Sequence, residues 1–87
     1  MDVQGFRAFL ASRYPSKKSV DSRMSRARKA ERILEYDLDK AVSSDKKMKE
    51  ALLIIKEQDN REENYQNATR CYYEFKVGKV FPKLDKI

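Results

Sequence analysis

From Ser16 to Val77 the chain contains neither glycine nor proline. Gly5, Pro15, Gly78 and Pro82 are its only such residues, so the interior lacks the strongest helix breakers. The first part of this stretch, Pro15 to Tyr36, reads as one long helix. Ser16 follows Pro15 and can cap the first free backbone N–H groups. Val20, Met24, Ala27, Glu31 and Leu34 fall at steps of four, three, four and three, which is one helical face. Only Glu31 breaks that stripe, and Ala30 and Ile33 widen it toward the C-terminal end. The helix is therefore weakly amphipathic at its start and firmly so at its finish.

The charge is lopsided. Residues 1–33 hold nine Lys/Arg and three acids, whereas residues 34–87 hold eleven of each. The whole excess of +6 thus lies in the first third. A uniformly soluble surface does not need that asymmetry, whereas a surface that meets phosphates does. Lys18, Ser22, Arg26 and Lys29 are spaced by four, four and three and share a face, with Ser25 beside them. It is not the Val20–Leu34 face, so core packing does not consume it. Small hydroxyls between long cations allow close approach to a sugar-phosphate backbone, and Ser can donate to phosphate or to a base edge. The bland alternative is a solvated basic face. The one-sided clustering and interleaved serines favour nucleic-acid contact.

At 87 residues the expectation is a single domain over 1–87 with one modest core. An apolar fraction of 40% with 39% charged residues suits short helices that each bury little surface. No apolar run approaches a membrane span, and the N-terminus lacks a signal-peptide pattern, so a cytoplasmic protein is expected. The single Cys71 cannot form an internal disulfide, which fits a reducing compartment.

The periodicity predicts helices over about 3–14, 17–36, 45–58 and 62–77, followed by a tail over 78–87. In the first, Asp2 is the N-cap and Val3, Phe6, Leu10 and Tyr14 face inward, with Phe9 flanking. Gly5 costs some helix stability there and permits close packing. Pro15 stops this helix by forcing Tyr14 out of helical geometry. Between Asp37 and Asp45 periodicity fades into a loop with one turn over Leu38–Val42, and Leu38 and Val42 tuck under the core. Asp37 and Asp39 suit capping better than acid/base chemistry or metal binding, since no third ligand or partner base is in view.

The third helix, capped by Ser44 or Asp45, presents Met48, Ala51, Leu52 and Ile55. Leu53 and Ile54 broaden its apolar surface, which reads as a central buried helix. The alternative is a partner surface at Leu53 and Ile54. In the last helix Tyr65, Ala68, Tyr72 and Phe75 form the core face, and Cys71 reads as a small buried residue. Asn67, Arg70 and Tyr73 fall on adjoining, more exposed positions suited to base edges and phosphates. Gly78 ends that helix. Val80, Phe81 and Leu84 of the tail either fold back on the core or open a linker.

Taken together, these segments resemble the N-terminal helical, SAM-like core-binding domain of tyrosine recombinases and phage integrases over roughly Phe6 to Val77. A short helix carries Phe6, Phe9 and Leu10. Ser16, Ser19 and Val20 then open a long helix, and Asp37-Leu38 precedes the third. The last helix carries Asn67-Ala68-Thr69-Arg70-x-Tyr72-Tyr73-x-Phe75. The resemblance implies an all-α, compact four-helix orthogonal bundle that clasps one side of double-stranded DNA in a mobile-element protein. It implies DNA contacts at Lys17, Lys18, Ser19, Ser22 and Arg26, then at Asn67 and Arg70. Arg23 and Lys29 complete the candidate set. The catalytic domain of that family has no counterpart here, and the chain has no His, so recombinase activity does not carry over.

Without His and with one Cys, zinc is not a credible ligand. There is no phosphate-cradling glycine loop. Tyr72 and Tyr73 would need an activation that nothing supplies. No enzyme activity, cofactor or metal is expected. Two functions remain: a DNA-binding domain, free-standing or joined to a catalytic domain, and a protein-interaction or oligomerisation module using the Leu52–Ile55 helix and the tail.

Overall fold

The computed structural model describes residues 1–58 and 63–83, and all regular structure among them is helical. Its helices are α1 (Val3–Arg13), α2 (Lys17–Leu34), α3 (Leu38–Ala41), α4 (Asp45–Gln58) and α5 (Asn64–Val77). The basic helix α2 packs against each of the other four, most extensively against α5. The radius of gyration, 12.0 Å, matches the value of about 12 Å for a close-packed chain of this length. No described helix is long and apolar enough to cross a membrane.

The start of α2 follows from its sequence. Ser16 is in extended geometry, and its hydroxyl accepts from the Ser19 N–H at 3.2 Å. Val20, Met24, Ala27, Ala30 and Leu34 are buried, as the spacing predicts. The helix ends two residues earlier than expected because Glu35 adopts a left-handed conformation at φ 63°. That is an uncommon conformation for a residue with a Cβ, and it turns the chain into the α3 segment. Glu31, the polar break in the stripe, is half-buried and accepts from the Leu38 N–H at 2.9 Å. The apparent flaw in the pattern is therefore a joint between α2 and α3.

Asp2 caps α1 by accepting from the Gly5 N–H at 3.0 Å, and Phe6 and Leu10 are fully buried. Val3 is 39% exposed, so the inward face of α1 is narrower than its spacing suggests. A Cβ on Gly5 would sit 2.8 Å from the Phe75 ring. The missing side chain is what lets α1 approach α5 so closely. Tyr14 is extended at φ −120°, ψ 121°, as the residue before Pro15 must be.

The expected turn is the four-residue α3, capped by Asp37 through the Asp39 N–H at 2.8 Å. Leu38, Ala41 and Val42 are buried beneath it. Ser44 caps α4 by accepting from the Lys47 N–H.

Three expectations are corrected here. Met48, Ala51, Leu52 and Ile55 are fully buried, but Leu53 is 47% exposed and Ile54 only half-buried, so α4 is a one-faced helix and α2 takes the centre. Tyr73 was expected outside and is buried, because Phe81 folds back and packs edge-on against its ring at 5.0 Å. Val80 does not follow Phe81 inward and is 71% exposed. The helix start expected at 62 and the fold-back of Leu84 lie outside the described residues. Gly78, at φ 86°, takes the left-handed position that ends α5.

Two tyrosine hydroxyls link the helices. Tyr72 accepts from the Asp2 N–H at 2.8 Å and donates to the Asp39 carboxylate. Tyr73 donates to the carboxylate of Asp45. That bond, reinforced by burial and by the charge of Asp45, pushes the Tyr73 pKa up to about 12. Burial, with Asp39 beside it, pushes Tyr72 higher still. A raised folded-state pKa stabilises fully below the unfolded value near 10 and is lost as pH rises through the folded value near 12. In a tyrosinate absorbance titration, ionisation of Tyr72 and Tyr73 should come well above the ordinary tyrosine value of about 10 and coincide with loss of the helical CD signal. Ionisation of Tyr72 and Tyr73 near the ordinary value, in a chain still folded, would contradict these bonds.

Candidate functional site

The exposed side of α2 and the first turn of α5 enclose an open groove of about 760 Å³. Lys17, Lys18, Asp21, Ser22, Ser25, Arg26 and Lys29 line it from α2, and Asn64 and Tyr65 close it from α5. Helical spacing explains the α2 wall: steps of three and four keep Lys18, Ser22, Ser25, Arg26 and Lys29 on one side while Val20–Leu34 face the core. The α5 wall exists because α5 packs on α2 more extensively than any other helix does. Glu63, at the N-cap of α5, makes no side-chain capping bond. The N-terminal end of α5 therefore borders the groove without a side-chain hydrogen bond from its N-cap residue.

Three cations of the other helices are held by acids, whereas among the described residues those of the groove are not. Arg13 is held by both carboxylate oxygens of Glu74, at 2.7 and 2.9 Å. Arg7 holds Asp21 at 2.7 Å, and Lys76 lies 3.7 Å from Asp39. Among the described residues, Lys18, Arg26 and Lys29 make no ion pair. The hydrogen bond from Arg7 keeps the Asp21 carboxyl below its usual range, with Lys17 adding to the effect. Among the described residues the groove's single acid is thus engaged from outside, and four cations line the groove together. Exposure and salt screening keep their mutual repulsion tolerable to the fold.

The remaining expected residues are divided. Ser19 belongs to the capping turn: its N–H bonds Ser16 and its carbonyl accepts from Arg23 Nη1 at 3.3 Å. Arg23 lays its guanidinium over the Tyr14 ring, 3.7 Å from the centroid, and leaves the groove. Arg70 donates to the Asn67 amide oxygen and lies 3.9 Å from Glu63, so these two α5 residues engage each other. Of the nine candidates, Lys17, Lys18, Ser22, Arg26 and Lys29 meet in the groove. Asn64 and Tyr65 were missed as site residues because a polar-aromatic pair opening a helix looks like loop and core. Their position at the uncapped N-terminus of α5 was the available signal.

A second, more enclosed pocket of about 330 Å³ adjoins the groove and shares Arg26 and Asn64 with it. Phe6, Ala68 and Cys71 line it together with Tyr14, Arg23 and Asn67. Cys71 is half-buried here rather than a core residue, and burial pushes its thiol pKa up. No protein-family model matches the chain, and no curated protein or solved structure matches it either.

Proposed function

We propose that this chain is a DNA-binding helical domain that seats the phosphate backbone of a duplex in the groove between α2 and α5. The observation that carries this reading is the convergence of charge: Lys17, Lys18, Arg26 and Lys29 line one open groove, and among the described residues Lys18, Arg26 and Lys29 make no ion pair. Ser22 and Ser25 between them supply short donors for phosphate oxygens. The resemblance to recombinase core-binding domains supports the same face, since it implies contacts at the start of the second helix and on the last. A SAM-like orthogonal arrangement, and a catalytic domain as partner, belong to this proposal.

Fluorescence anisotropy of a labelled random-sequence duplex tests it. Four to six phosphate contacts give a slope of log affinity against log salt of about −4 to −5. A flat salt response, or no binding at low salt, would overturn the reading. The protein-interaction alternative draws on the exposure of Leu53, yet Ile54 packs partly on the core, so α4 offers a narrow apolar strip rather than a broad face.

A further inference from the structure

The groove is wet, open and cationic, which suits a phosphate and not a base. The pocket beside it is more enclosed. Phe6 and Ala68 lie beneath it among otherwise polar and aromatic lining residues, and its volume of about 330 Å³ is at the small end of ligand pockets, which start near 300 Å³. Its wall holds a planar pair, the Arg23 guanidinium stacked on Tyr14 at 3.7 Å. Flat π-systems and guanidinium planes are the surfaces on which unpaired bases stack. Asn67 gives its amide oxygen to Arg70, which fixes the orientation of the amide and leaves the NH₂ to donate. An amide NH₂ fixed at a pocket wall suits the acceptors of a base edge.

The two cavities meet at Arg26 and Asn64. A nucleotide's phosphate and base are likewise joined across one sugar. We infer that the groove and the pocket together form a site for one unpaired nucleotide, with its phosphate on Lys18, Arg26 and Lys29 and its base against Tyr14, Arg23 and Asn67. The inference rests on the reading of the groove as a phosphate site, and it names the form of nucleic acid preferred: a strand with an extrahelical or terminal unpaired base.

Four labelled probes in anisotropy titrations test this: a fully paired duplex, the same duplex with one bulged adenine, the same bulge made abasic, and a single strand. The bulged duplex should bind about tenfold tighter than the paired one, and the abasic bulge should return to the paired value. Asn67→Leu, on an exposed position of α5, should remove the bulge preference, so that the bulged and paired probes bind that variant alike. Arg23→Ala should reduce the preference in the same way. Equal binding of the bulged and paired probes would overturn the base pocket while leaving duplex binding intact. So would an abasic bulge that binds as tightly as the base-bearing one, since the protein would then be reading backbone distortion. Failure of every probe to bind with salt dependence would remove the groove and the pocket together. Free adenosine monophosphate added as a competitor separates the two sources of the ligand. Displacement assigns the site to free nucleotides, and persistence of the complex assigns it to a base held in a strand.

Discussion

Lys18→Glu combined with Arg26→Glu is expected to weaken duplex binding at low salt by about 100-fold or more. Each reversal deletes one of a handful of phosphate contacts and sets a carboxylate against the backbone. The fold should not notice. Lys18 is exposed and Arg26 half-buried, and among the described residues neither makes an ion pair. Stability should stay within about 0.5 kcal/mol, with the helical CD signal unchanged. The control is Lys46→Glu with Lys49→Glu on the exposed side of α4, which changes net charge by the same amount on a different face. Long-range steering alone should cost that variant only a few-fold. Equal losses in the two variants would mean that net charge, not the groove, governs binding.

The second large effect is on stability. Tyr72 is fully buried, sits edge-on to Phe6 with centroids 5.0 Å apart, and meets Phe75 at 5.6 Å. Tyr72→Ala should cost about 3–5 kcal/mol through lost burial and a cavity between α1 and α5. Domains of this size hold about 5–15 kcal/mol in all, so much of that variant should be unfolded at ordinary temperature. Tyr72→Phe keeps the ring and removes only the hydroxyl. It leaves the Asp2 N–H without its acceptor and Asp39 without its donor, which should cost about 1–2 kcal/mol. Urea unfolding midpoints at unchanged slope would measure both losses. A Phe variant as damaged as the Ala variant would show that the polar joint, rather than the aromatic cluster, holds α1 onto α5.

These two residue sets differ in how far the sequence alone reveals them. The cationic face was legible because it lies within one helix, where steps of three and four fix which side chains share a side. The same is true of the α2 stripe, the caps at Asp2 and Ser16, and the stop at Pro15. Each depends on neighbours within one turn, so sequence spacing carries the geometry.

Tyr72 and Tyr73 are adjacent, yet one was expected inside and the other outside. Both are buried because different partners stand at their two angles: Phe6 beside Tyr72, and the returning Phe81 over Tyr73. Spacing gives an angle about one helix axis and says nothing of which element stands there. That is also why Leu53 faces solvent within the most apolar run of the chain, and why Glu31 is a joint rather than a flaw. The opposing wall of the groove, Asn64 and Tyr65, comes from the packing of α5 on α2. So the sequence by itself determined the helices, their local ends and the placement of excess charge on one helical face. Only the tertiary structure decided which cations stay unpaired, since Arg7, Arg13 and Lys76 find their acids across helix boundaries. Pairing at 2.7 Å between Arg13 and Glu74 depends on helix packing, and no sequence spacing encodes that distance.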